Sequence, residues 1–318
     1  MNKKIFTLVF IFITVVSFSQ ETKIQIKIKN LKNKDVILGH HFSDQLIPDD
    51  TITLNKKGIG TFTADKKYSG GMYFLFLPNL NIFDFILDKD QVFTIIADTT
   101  NFTETVSFEG SLENKLFSDY QKKMKSTRDS QEKLMKELDK VKGNEKKTQE
   151  IKNEINEVVE DMNTYHKDVI KNNPNLFFTK FLTATYRPEV PKTITDKKEQ
   201  YFWFRHHYFD NFDVSDPRLL RTPIYKNTIE TYLDKVLMQH YDTLIPEVDK
   251  LIEKSRTNHE LFRYMMVYLF NKYASSQIMI AENIFVHIAD KYYIKESDWS
   301  DPKYLKDLKS RIDKKVKK

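Results

Sequence analysis

Apolar and polar residues alternate through the first third of the chain, then apolar residues step by three and four, and the change falls at Gly110. Ile24, Ile26 and Ile28 alternate with Gln25 and Lys27, the period of a strand with one buried face. A polar turn is predicted at Asn30–Lys34, with a return strand from Val36. Ile52 and Leu54 lead to a turn at Lys56, Lys57 and Gly58, and Ile59–Thr63 resumes the strand pattern. Ser69, Gly70 and Gly71 turn the chain into Met72–Leu77, which Pro78 closes. Phe83–Leu87 and Val92–Ile96 flank Asp88, Lys89 and Asp90, a hairpin-like connection, and Val106–Phe108 supplies a last strand. Seven or eight short strands at this spacing predict an antiparallel β-sandwich.

After Gly110 the pattern is helical. Ser111 is placed to cap a helix whose first turn holds Glu113. Phe117, Tyr120, Met124, Thr127, Gln131, Leu134, Leu138 and Val141 mark one seam, which Gly143 and Asn144 break. Ile151, Ile155, Val158, Met162, Tyr165 and Val169 repeat it in a second helix, stopped by Asn172, Asn173 and Pro174. Two such seams predict an antiparallel coiled hairpin. Helices are then expected over Leu176–Ala184, Tyr201–Phe209, Ile224–His240, Pro246–Arg256, Asn258–Tyr273 and Gln277–Tyr292. Trp299 falls in a loop before a last lysine-flanked helix. The fold class is therefore α+β. A β-sandwich over residues 20–110 leads into a helical hairpin over 111–173 and an α-helical domain over 174–318.

Residues 1–19 change the picture of where the protein works. Lys3 and Lys4 precede an apolar run from Ile5 to Val16, and Ser17 and Ser19 sit at −3 and −1 for cleavage before Gln20. This is expected to be a cleavable signal peptide that exports a periplasmic protein. No later run approaches the roughly 20 apolar residues of a membrane span. The sequence holds no cysteine, so disulfides, thiolate metal sites, thiol catalysis and an acylated N-terminal cysteine are excluded for this chain. The formal charge is +6, with lysines at 314, 315, 317 and 318 contributing much of it, and it reads as a solvated lysine surface. Basic residues are not interleaved with aromatic ones, which argues against a nucleic-acid partner.

Candidate chemistry is sparse. His40 and His41, and His206 and His207, are adjacent pairs whose members point apart on a strand or a helix, so neither pair chelates one metal. No nucleophile elbow, Walker loop or dinucleotide fingerprint is present. No cofactor is expected, and no catalytic residue is assigned. The aromatic stretch Tyr201–Phe209 is apolar nearly all round, which predicts a central core helix.

Several stretches resemble a known family. Ile24–Ile28, Gly71–Tyr73, Phe85–Asp88 and Phe108–Asn114 are similar to a β-rich domain of unknown function. That domain precedes thioredoxin-like proteins of the bacterial envelope, of the TlpA and AhpC/TSA type. Asn173–Leu182, His207–Asp213, Asp216–Pro223, Val286–Tyr293 and Trp299 resemble the helical segment that follows it. Members continue into a thioredoxin-like domain with two paired cysteines, which this sequence lacks, so the resemblance implies either a truncated or degenerate member or an accessory role beside a separate thioredoxin-like chain. The alternatives are an envelope scaffold that docks partners through the hairpin, and an enzyme of another class such as a hydrolase. Asp-Thr pairs at Thr51, Thr99 and Thr243 are similar to a periplasmic O-glycosylation signal, the first two expected in turns and the third between two helices.

Overall fold

The computed structural model describes residues 22–78, 81–276 and 280–316; the expected signal segment 1–19 lies outside the described residues. Eight strands form first: β1 (Thr22–Lys29), β2 (Asp35–Phe42), β3 (Gln45–Thr53), β4 (Ile59–Ala64), β5 (Gly71–Leu77), β6 (Asn81–Leu87), β7 (Val92–Asp98) and β8 (Ser107–Glu109). They pair as two sheets, β4-β1-β7-β8 and β3-β2-β5-β6. All pairs are antiparallel except β1 with β7. Alternation puts Ile24, Ile26, Ile28, Phe62 and Ile95 of one sheet against Leu38, Tyr73, Leu75 and Phe85 of the other, all buried.

Two expected returns go elsewhere. Asp88–Asp90 is not a hairpin, because β6 belongs to one sheet and β7 to the other. The chain crosses there because buried Gln91 ties the crossing down. Its amide donates to the carbonyls of Tyr68 and Asp88 (2.8 and 3.0 Å) and accepts from the Tyr68 N–H and the Thr22 hydroxyl (2.9 and 2.6 Å). The turn after β1 likewise leads into the opposite sheet, since β2 pairs with β3 and β5.

A single helical turn, α1 (Phe102–Thr105), precedes β8. The hairpin follows as α2 (Leu112–Lys140) and α3 (Glu145–Asn172), capped by Ser111 and Asn144. The bundle comprises α4 (Phe177–Ala184), α5 (Lys197–His207), α6 (Pro217–Leu220), α7 (Tyr225–Thr231), α8 (Tyr241–Ser255), α9 (His259–Ser275), α10 (Ala281–Ile288), α11 (Ile294–Glu296) and α12 (Pro302–Val316). Tyr232–Val236 and Ala289–Tyr293 are π-helical turns that extend α7 and α10. Helix α8 begins five residues before Pro246, which sits inside it. Phe177, Phe178, Leu182, Leu220, Ile229, Leu233, Leu261 and Met265 centre its core. Each such side chain contributes about 1.5–3 kcal/mol by leaving water.

The aromatic helix α5 corrects an expectation. None of its residues is fully buried, and Phe202 is 45% exposed; burial begins only at Tyr208. Its rings cover one another instead: Trp203 stacks on His207 at 4.2 Å, and Phe204 packs edge-on to Tyr208. No described helix is long and apolar enough to cross a membrane.

Candidate functional site

The outer face of the sandwich contributes Met72 and Ile86 to the core of the bundle. Strand β5 is buried on both faces: Tyr73 and Leu75 point into the sandwich, while Met72 packs with Ile86 of β6 into the helical core. Gly71 makes the approach possible, because a Cβ there would lie 2.4 Å from the Arg221 Cβ. The backbones are joined directly: the Met72 N–H donates to the Arg221 carbonyl at 2.8 Å, and the Ser43 N–H to the Leu220 carbonyl at 2.7 Å.

The hairpin enters the same joint. Asn114, fully buried in the first turns of α2, presents its amide to the outer edge of β6 like one more strand. Its Oδ1 accepts from the Ile86 N–H at 2.7 Å, and its Nδ2 donates to the Ile86 carbonyl at 2.8 Å and to Ser111 Oγ at 3.0 Å. Gly110, at φ +90°, turns the chain from β8 into that position. Glu113 reaches away from its own helix to the start of α4, where it accepts the Phe178 N–H at 2.6 Å. Burial pushes its pKa up to about 7, with the charge of Asp88 adding to the rise and the Phe178 N–H and Arg218 opposing it.

Arg218 closes the joint. It donates to Asp216 at 2.9 and 2.6 Å and to Asp88 at 2.9 Å, and its guanidinium lies 5.0 Å over the Phe177 ring. Burial opposes the Asp216 charge, yet the Arg218 hydrogen bonds hold its pKa below the ordinary value. Asp216 also caps α6 through the Arg218 N–H, with Pro217 in the first helical position. Residues of five family-like stretches, Gly71–Tyr73, Phe85–Asp88, Phe108–Asn114, Asn173–Leu182 and Asp216–Pro223, thus meet at one place.

Beside the joint a groove of about 730 Å³ opens, within the range of ligand sites. Its walls are the β2–β3 turn (Phe42, Asp44, Gln45), α7 (Lys226, Glu230) and α9, from Glu260 to Ser275. Helix α9 aims Tyr264 and Tyr268 into it on one stripe, their rings parallel with centroids 5.9 Å apart. The Tyr264 hydroxyl meets Ser43 Oγ at 2.5 Å, and its ring packs edge-on to Phe42 at 5.7 Å. Burial pushes the Tyr264 pKa up to about 12. The Tyr268 hydroxyl is buried, and its pKa is raised by that burial and by the neighbouring charge of Glu230.

Charges on the rim are largely paired. Lys226 bonds Asp44 at 2.6 Å, Lys272 bonds Asp234 at 2.7 Å, and buried Arg221 meets both oxygens of Glu260 at 2.9 and 2.8 Å. Arg263 lies 5.7 Å over the Trp299 ring. Such a surface offers aromatic faces, hydroxyls and charges of both signs. It suits recognition, since its carboxylates Asp44 and Glu260 already hold cations.

The histidines are dispersed. His40 bonds Asp49 at 2.8 Å and His41 bonds Asp84 at 2.9 Å on opposite faces of β2; His207 bonds Asp210 at 2.7 Å and His287 bonds Asp249 at 2.7 Å. Among the described residues no three His, Asp or Glu side chains are grouped to hold a metal ion. Thr99 is exposed in a turn as expected. Thr51 is not in a turn: it lies exposed within β3, opposite Ile37, because the β2–β3 ladder continues past Asp50. Thr243 is not between helices but half-buried in the first turn of α8, because the helix starts at Tyr241 and carries Pro246 within its second turn.

The groove was not singled out from the sequence. The available signal was the spacing of Tyr264, Tyr268, Asn271 and Ser275 by three and four on one helix. Comparison with known proteins gives a family without an activity. No curated protein and no solved structure matches the chain. Residues 22–117 match a domain of unknown function, DUF4369. Residues 142–314, more than half of the chain, match a second domain of unknown function, DUF5106. The chain therefore belongs to the DUF5106 family, with a DUF4369 domain preceding the helical region.

Proposed function

We propose that this chain is a non-catalytic accessory module of the bacterial periplasm that works by binding. Its build follows the N-terminal part of the thioredoxin-like thiol-disulfide oxidoreductases that the sequence resembles. The observation that supports this reading is how the family-like residues are used. Ser111, Glu113, Asn114, Asp216 and Arg218 are occupied in holding sandwich, hairpin and bundle together. The groove beside them presents tyrosine faces and paired charges, and the sequence holds no thiol to attack a disulfide. The partner in this reading is a separate thioredoxin-like chain or another envelope protein.

Reduction of insulin in the presence of dithiothreitol tests the non-catalytic part: the purified chain should stay at the background rate, and turnover above it would overturn the reading. Calorimetric titration with a thioredoxin-like domain from the same envelope tests the binding part. Tyr268→Ala and Arg263→Ala should weaken that binding at least tenfold; absence of binding by the unaltered chain refutes this partner.

A second reading, a scaffold that docks through the hairpin, is favoured by a separate observation. Between Ser126 and Tyr165 the ion pairs and hydrogen bonds among the described residues lie within the hairpin itself, and Met135 is 53% exposed. Replacing residues 128–160 by a short turn should then abolish binding of the partner and leave the joint folded. Unchanged binding rejects this second reading.

A further inference from the structure

The charge of this protein is concentrated at one place. Residues 302–318 hold eight lysines and arginines against two aspartates, a net +6 that equals the formal charge of the whole chain, so the remaining 301 residues sum to zero. Of the six cations on α12 among the described residues, Lys315 is paired with Glu282. Lys303, Lys306, Lys309, Arg311 and Lys314 are exposed and make no ion pair with a described carboxylate. The opposite side of α12 is committed to the bundle, with Leu308 and Ile312 buried and Leu305 half-buried. That packing fixes the helix on its side, with the basic face turned outward. Asp307 and Asp313 share this outer side and reduce its charge without reversing it. Tyr304, 41% exposed, stands next to Lys303 at the start of the helix.

We propose that the outer face of α12 docks this protein on an anionic phospholipid bilayer. The row of cations runs along a helix of about 20 Å and is open to solvent, which suits an extended charged plane. Lysine supplies all but one of these charges. A lysine is a point charge on a flexible stem, which serves the diffuse field of acidic headgroups, whereas bidentate recognition of individual phosphates calls for arginine. The apolar side of α12 is used up in the bundle, so the attachment is electrostatic and reversible, with Tyr304 at headgroup depth. This surface is separate from the groove, and the inference does not rest on the proposed accessory function.

Co-sedimentation of the purified protein with vesicles tests it. Vesicles of phosphatidylcholine with one-third phosphatidylglycerol should take up at least tenfold more protein than phosphatidylcholine alone at 0.1 M salt, and 0.5 M salt should release it. The quadruple variant K303Q/K306Q/K309Q/K314Q, whose altered side chains are all exposed, should lose at least tenfold and keep the far-ultraviolet circular dichroism of the parent. A matched quadruple variant at the hairpin tip, K140Q/K146Q/K147Q/K152Q, should bind as the parent does. Equal uptake by neutral vesicles, undiminished uptake by the α12 variant, or equal loss by the hairpin variant would each overturn the proposal. So would tighter binding to a DNA duplex than to the anionic vesicles at the same salt, which would assign the face to nucleic acid.

Discussion

Glu113 offers a pH-dependent test of how the three parts of the molecule are joined. Its carboxyl is raised from an ordinary 4.5 to about 7, chiefly by burial, while still accepting the Phe178 N–H. The folded protein therefore binds this proton more tightly than the unfolded chain does. The resulting stabilisation is fully present below pH 4.5, declines between 4.5 and 7, and is gone above 7. At about 1.4 kcal/mol per pKa unit, ionisation costs the folded state ~3 kcal/mol. Glu113→Gln keeps an acceptor for the Phe178 N–H and has no proton to lose. The variant should thus gain ~3 kcal/mol over the parent between pH 4 and pH 8, which for a chain of this size is a difference of about 6 °C in Tm. Thermal unfolding of both proteins at five pH values in that window measures it, since the remaining titrating groups are shared and cancel in the difference. A Tm difference that stays constant across the window would refute both the burial argument and the assigned contact.

Asn114→Ala should cost about 2–4 kcal/mol in urea unfolding, because it leaves the buried N–H and carbonyl of Ile86 without partners. Gly71→Ala should destabilise by about 1–3 kcal/mol, since the added methyl meets the Arg221 side chain and one backbone must shift; a neutral outcome would show that strand and bundle are not in contact. For the Asp-Thr pairs, we propose that Thr99 is the acceptor reached most easily, exposed in a turn held by Asp98, while Thr243 is half-buried in α8. Tandem mass spectrometry of protein from its native envelope should locate any hexose-containing mass on Thr99 first, and a peptide of unmodified mass would remove the site.

Much of the local architecture was legible along the chain. The period of two before Gly110 and of three to four after it follows from geometry that each segment carries alone, so seven strands and the hairpin with its Ser111 cap appear where the pattern predicts them, while β3 begins at Gln45, well before the expected Ile52. Partnership between strands has no such local signature. Phe83–Leu87 and Val92–Ile96 read as a hairpin, yet they part into different sheets because Gln91 satisfies backbone groups from both sides of the crossing. Apolar density is equally ambiguous. The rings of Tyr201–Phe209 predict a core helix, yet Tyr201–His207 are half-buried or exposed, with Trp203 stacked on His207 and Phe204 packed against the helical core.

The site depended most on tertiary structure. Glu113 and Asn114 read as ordinary first-turn residues of a helix; only the approach of β6 and α4 makes Asn114 a strand mimic and Glu113 a half-buried acid with a raised pKa. Tyr264 becomes a groove wall by meeting Ser43, 221 positions away in the chain. Local sequence determined which segments are strands and helices, because backbone sterics and side-chain periodicity act within a few residues. The fold alone decided which charged groups are buried and paired, because desolvation and hydrogen bonding depend on neighbours that only long-range packing brings within 3 Å.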